Sequence, residues 1–141
     1  MKNSGSKGAR RAALALIATI AAGAGVVASG APAIAATSNC PSKYLCIWKD
    51  TSYKTDGKDS ALVKFQYYIP NYGQYKYEGT SLSAANSATS IYNHGATETA
   101  YMYANTNKGG FLFSIPKGNT NSWLVGGGGD NIESGYYASY N

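Results

Sequence analysis

Arginine occurs only at Arg10 and Arg11 of this 141-residue chain, and histidine only at His94. Cysteine is limited to Cys40 and Cys46. From residue 37 onward there is no arginine, and eight lysines face seven acids, a net +1. Nucleic-acid recognition normally relies on excess positive charge and on the forked donors of arginine, so nucleic acid is excluded as a partner. One histidine and two cysteines give no zinc-ligand spacing. His94 lies in the turn sequence Asn93-His94-Gly95 with no serine or free thiol recognisably placed beside it, and it reads as a solvated turn residue. Asp50, Asp56 and Asp59 sit in a lysine-bearing stretch, where they read as solubilising charge rather than as paired catalytic carboxylates. The glycine run Gly126–Gly129 has no following Gly-Lys-Ser/Thr and no helical pattern, which excludes a phosphate-binding loop. These absences point away from an enzyme.

The only long apolar run comes first. Lys2, Lys7, Arg10 and Arg11 precede a small, apolar stretch from Ala12 to Val27, and Ala33-Ile34-Ala35 places small residues at both cleavage positions. Residues 1–36 are expected to be a secretory signal peptide that is removed, by a route that Arg10-Arg11 leaves open. The expected product is secreted and extracellular, with no membrane attachment after cleavage.

About 105 residues remain, enough for one domain, residues 37–141. All thirteen tyrosines, both tryptophans and all three phenylalanines lie in it. Leucine is scarce and glycine plentiful, a composition that favours short strands and tight turns, an all-β fold. One pattern occurs twice: Phe65-Gln66-Tyr67-Tyr68-Ile69-Pro70 and Phe111-Leu112-Phe113-Ser114-Ile115-Pro116, with the prolines 46 residues apart. Each copy is expected to be a strand that its proline ends. Asn86–Ser90 and Asn131–Gly135 repeat at an offset of 45. The two landmarks predict an internal duplication of about 45 residues sharing one core.

In each copy the proline-ended strand follows another strand and a polar hairpin. Tyr44–Trp48 leads into the first hairpin and Ala100–Tyr103 into the second. The first hairpin is longer, and the extra length between Tyr53 and Val63 is expected to be an exposed excursion. Cys40 and Cys46 are six positions apart, and Pro41-Ser42 can reverse the chain between them. Export favours joining them, in a seven-residue ring worth roughly 2–2.5 kcal/mol. Free thiols serving as a nucleophile or metal site are the alternative.

The hairpin Tyr103-Ala-Asn-Thr-Asn-Lys108-Gly109-Gly110 resembles the signature of the βγ-crystallin Greek key. That signature is an aromatic, four residues, a basic or aromatic residue, any residue, then glycine. The first copy has Trp48 and Tyr53 at the aromatic positions but Thr55 where the glycine belongs, so its hairpin is expected to be distorted. In that family a later serine bonds to the hairpin, a role that falls to Thr89 or Ser90 and to Ser134. The opening Cys40-Pro41-Ser42-Lys43-Tyr44-Leu45-Cys46-Ile47-Trp48 is similar to a narrower group, peptidase inhibitor family thirty-six, small secreted bacterial proteins whose founding members inhibit metalloproteinases. The resemblance implies a monomeric sandwich of two Greek-key motifs, about residues 40–93 and 99–141, and an extracellular peptidase as partner. The founding inhibitors hold their reactive segment with a second disulfide, whereas this chain has no cysteine after Cys46.

The expected inhibitory loop is Asn107, Lys108, Gly109, Gly110, Phe111 and Leu112, held extended and offering Phe111 or Leu112 to a cleft. No cofactor is required, but the resemblance raises calcium, which family members bind through two Asp/Asn residues, two free positions, then Ser/Thr and Ser. The candidates are Asp130 and Ser134, with Ser87 and Thr89 from the first copy; the competing reading is that these residues only brace the hairpins. The run Tyr67–Tyr77 also admits two readings. Exposed rings could stack on sugars in a glycan-binding module, or alternate rings could pack in the core.

Overall fold

The computed structural model describes residue 37 and residues 39–55, 62–124 and 128–141. The expected signal segment, residues 56–61 of the first hairpin and residues 125–127 of the glycine-rich stretch lie outside the described residues. Among the described residues eight strands form: β1 Leu45–Trp48, β2 Leu62–Phe65, β3 Tyr68–Ile69, β4 Ser90–Asn93, β5 Ala100–Tyr103, β6 Phe111–Ile115, β7 Thr120–Asn121 and β8 Ser134–Tyr137. Short 3-10 turns occupy Thr51–Tyr53, Tyr72–Gln74, Thr106–Lys108 and Ala138–Tyr140.

The strands make two antiparallel sheets, ordered β2-β1-β4-β7 and β3-β8-β5-β6. β1–β4 constitute one Greek key and β5–β8 the other, and each passes its third strand into its neighbour's sheet. The expected strand Phe65–Ile69 is therefore two strands. Phe65 pairs with Leu45 in the first sheet, whereas Tyr68 and Ile69 pair with Tyr136 and Gly135 in the second. Gln66 and Tyr67 carry the chain across, which is why apolar alternation fails there and two consecutive tyrosines are exposed.

The duplication is real but its sequence register is not the expected one. Leu45 pairs with Phe65 as Ala100 pairs with Ile115, so Phe65 corresponds to Ile115, fifty positions on. Trp48 pairs with Ser90 as Tyr103 pairs with Ser134, making those serines equivalent at an offset of 44. Hairpins of unequal length move the offset from strand to strand.

Leu45, Ile47, Phe65, Ile69, Ile91, Met102, Ile115 and Ile132 meet between the sheets. Burial of this apolar surface is the main stabilising term. Outside the first sheet a second cluster gathers Cys46, Trp48, Tyr53 and Leu62 around Cys40, so β1 is buried on both faces.

Asn93, expected in a turn, is fully buried at the end of β4. Its amide donates to the carbonyls of Glu98 at 2.9 Å and Ile115 at 2.8 Å. Its oxygen accepts from the Gly95 N–H at 2.9 Å and the Tyr137 hydroxyl at 3.0 Å. All four hydrogen-bonding positions of the amide are used, joining β4 to β6 and β8. Gly95 fits because a Cβ there would lie 2.5 Å from the Tyr137 hydroxyl.

Candidate functional site

Both hairpins close on the same device. In the second, Asn107 and Lys108 take left-handed backbone angles, φ 54° and 68°, followed by Gly110 at φ 63°. Beneath them Ser134 donates to the Asn105 carbonyl at 2.7 Å and accepts from the Lys108 N–H at 3.3 Å. In the first, Ser52 and Tyr53 take φ 59° and 55°. Ser90 there donates to the Asp50 carbonyl at 2.7 Å and accepts from the Tyr53 N–H at 3.2 Å. Between the two first-copy candidates, Ser90 is the brace. The expected distortion does not reach this corner, because its left-handed pair and its serine bonds match those of the second hairpin despite Thr55.

Cys40 and Cys46 are bonded, with Cα atoms 5.8 Å apart. His94 is not a free turn residue. Its Nδ1 lies 2.8 Å from the Cys40 carbonyl oxygen, its ring stacks on Tyr92 at 4.9 Å, and its carbonyl accepts from Lys43 N–H at 2.8 Å. It fastens the disulfide ring to the end of β4.

The proposed inhibitory loop divides. Asn107–Gly110 is folded rather than extended. Ala104 and Asn105 donate to the Gly110 and Gly109 carbonyls at 2.7 and 2.9 Å, and Asn107 N–H reaches Pro70 at 2.9 Å. Lys108 lays its ammonium over Tyr136, 4.9 Å from the ring centre. The extended backbone begins at Phe111, in β6, which is an edge strand. Pairing shifts between Met102–Phe113 and Tyr103–Phe111, leaving Leu112 as an extra residue in a bulge. Leu112 packs against the core and is not free to enter a cleft, while Phe111 is 59% exposed.

The pairing register changes where the calcium motif falls. Since Ser134 corresponds to Ser90, it takes the last position of the motif, which leaves Gly129 at the first and Glu133 at the fifth. Ser134 Oγ is already committed to the hairpin, and Ser87 Oγ lies 2.9 Å from the Ser83 carbonyl oxygen. Glu133 instead accepts from the Asn86 side chain at 2.6 Å. No group of three or more His, Cys, Asp or Glu residues suited to a metal occurs among the described residues. The bonds at Ser134 and Ser90 fit the bracing reading.

The tyrosine run splits between its two readings. Tyr72 and Tyr77 are buried, whereas Tyr67, Tyr68 and Tyr75 are exposed. Burial pushes the Tyr77 hydroxyl up to about 12, a hydrogen bond with Ser87 offsetting part of the effect, and it raises Tyr72 and Tyr137 as well. Tyr68 stacks on Tyr136 across the strand pair, centroids 5.5 Å apart and planes within 7°. Sequence reasoning did not single out Tyr140, which joins this face at 5.5 Å from Tyr67 and 5.6 Å from Tyr68. Trp123, 64% exposed beside β7, also went unremarked. A lone aromatic beyond the repeated motifs carries no spacing signal.

Solved structures with this architecture are βγ-crystallin domains. One bears on the evolution of the eye-lens fold; it shares 14% identity and a TM-score of 0.56 over 70% of this chain and 88% of its own. A βγ-crystallin from Ciona intestinalis shares 10% identity and a TM-score of 0.50, over 67% and 98% of the two chains. A double mutant of clostrillin in complex with nickel shares 19% identity and a TM-score of 0.50, over 71% and 100%. At these identities the likeness concerns the fold, which defines the protein as a βγ-crystallin-type sandwich. No curated protein matches the sequence. The model of peptidase inhibitor family I36 matches residues 33–115, more than half of the chain. The chain belongs to peptidase inhibitor family I36.

Proposed function

We propose that the protein is a secreted, non-enzymatic inhibitor of extracellular peptidases, with metalloendopeptidases as its targets. Family membership supports inhibition. The observation that carries the choice of surface is Phe111, exposed on an edge strand directly after a hairpin fixed by hydrogen bonds at both ends. A peptidase cleft holds its substrate extended, and an edge strand offers both the extended backbone and unpaired hydrogen-bonding groups. Because β5 already fixes β6 along one side, little conformational entropy is lost on docking. Phe111 supplies the bulky apolar residue that thermolysin-type enzymes accept beside the scissile bond.

The test is residual activity of a thermolysin-type enzyme against rising concentrations of the purified protein and of its Phe111→Ser variant. Inhibition by the parent at micromolar concentrations, weakened at least tenfold in the variant, is expected. If neither metallo- nor serine peptidases are slowed, the inhibitor reading fails. Equal inhibition by both proteins would move the contact away from Phe111.

A further inference from the structure

A second surface lies at the other end of the β3-β8-β5-β6 sheet from Phe111. Tyr67, Tyr68 and Tyr140 are 53%, 48% and 42% exposed and touch one another through Tyr140. Tyr67 and Tyr140 border a cleft of about 180 Å³ whose other walls include Lys43, Gln66, Thr97 and Glu98. The rings are held in place from below. Tyr68 is stacked on Tyr136, and the Tyr67 carbonyl accepts from Tyr137 N–H at 3.1 Å. Tyr140 ends a 3-10 turn secured by Ala138 N–H to the Thr99 carbonyl at 3.0 Å and by the Tyr103–Asn141 side-chain bond.

The polar wall is equally fixed. Both Glu98 oxygens accept from Ser139, one from its N–H at 2.7 Å and the other from its hydroxyl at 2.6 Å. These bonds, the hydroxyl's first, hold the Glu98 carboxyl below the ordinary glutamate range, so it is ionised at neutral pH. A carboxylate has about four acceptor positions, and Ser139 fills two, leaving capacity for hydroxyl donors in the cleft.

We propose that this cleft binds a neutral saccharide chain. The ionised Glu98 opposes an anionic ligand, and Lys43 opposes a cationic one. What both tolerate is an uncharged ligand carrying many hydroxyls, for which Glu98, Gln66 and Thr97 supply acceptors and donors. The tyrosine faces supply flat apolar ground for the C–H faces of sugar rings, with rigid side chains that lose little entropy on binding. A protein contact is less well matched, because among the described residues no Leu, Ile, Val, Met or Arg lines the cleft to serve as an interface anchor.

Titration calorimetry with β-1,4-linked oligomers of N-acetylglucosamine and of glucose tests this on the purified protein. At least one oligomer should bind at millimolar or lower concentration. Tyr67→Ala and Tyr140→Ala should each weaken binding roughly tenfold, about 1.4 kcal/mol. Glu98→Gln, which keeps the shape and removes the charge, should weaken it severalfold. Trp123→Ala, at an exposed ring beyond the cleft, should leave it unchanged, and unaltered thermal unfolding would show that all four variants are folded. Absence of binding by either oligomer, or equal binding by the tyrosine variants, overturns the proposal. So does loss of peptidase inhibition in the tyrosine variants without any sugar binding, which would make this face a protein contact. Sugar binding that persists in a protein without inhibitory activity would sustain the cleft and reject only the inhibitor reading.

Discussion

Ser134 Oγ lies 2.7 Å from the Asn105 carbonyl oxygen, joining β8 to the far side of a hairpin that begins 29 residues earlier in the chain. Ser90 makes the same bond to Asp50 in the other motif. Both serines are fully buried, so removing either hydroxyl strands a carbonyl and an N–H that water reaches poorly. Ser134→Ala and Ser90→Ala should each lose about 1–3 kcal/mol of stability. Urea unfolding measures this, and a loss within about 0.5 kcal/mol, the range of an ordinary surface change, would deny the brace.

Reducing the Cys40–Cys46 bond should cost roughly 2–2.5 kcal/mol through the added freedom of the unfolded chain. Loosening of the His94 contact with the Cys40 carbonyl adds to it. Unfolding with and without reductant gives the number, and a non-reduced digest should show the two cysteine peptides linked by mass. Two alkylatable thiols in the native protein would contradict the pairing.

Asn93→Ala should exceed about 3 kcal/mol, beyond most single substitutions, because four buried partners lose their bonds together. Asn93→Asp should cost a similar amount. An ionised carboxylate cannot donate to the Glu98 and Ile115 carbonyls. Comparable chemical denaturation curves for parent and aspartate variant would show that the amide is not the junction described.

Alkaline pH should unfold the protein late and cooperatively. Tyr72, Tyr77 and Tyr137 are raised in the folded state, which therefore retains their protons where the unfolded chain releases them. The stability they contribute is fully present below the unfolded tyrosine value of about 10. It is lost as pH rises through the folded values, of which Tyr77's is about 12. Tyrosinate absorbance followed together with near-ultraviolet circular dichroism should show one delayed group of tyrosines ionising as tertiary structure disappears. Ionisation of all tyrosines before any structural change would contradict the burial.

The sequence conveyed composition-level facts well and crossings poorly. Resemblance to the Greek-key signature was enough to mark Ser134 and one of Thr89 or Ser90, because bracing the hairpin needs a hydroxyl at that place in the motif. Phe65–Pro70 and Phe111–Pro116 share the pattern aromatic, any, aromatic, any, isoleucine, proline yet are laid out differently in strands, since a chain that changes sheets in mid-motif keeps its apolar residues while changing which side they face. Asn93 was hidden for a related reason. Asparagine before His94-Gly95 reads as a turn, and only the meeting of β4, β6 and β8 converts its amide into a buried junction. The exposed tyrosines were visible as a group, but which of them face solvent depended on the crossing at Gln66 and Tyr67. Tyr140 and Glu98 became part of the cleft only through Ser139.

The exchange of third strands has a consequence for wear. Ala96 and Thr97, in the exposed passage between β4 and β5, are the natural place for a chance cut. Such a cut would not yield two loose halves, because β3 would still be paired with β8 in one direction and β7 with β4 in the other. The two pieces would hold each other like clasped hands, so a molecule that works beside a protease could be nicked at its joint and remain whole.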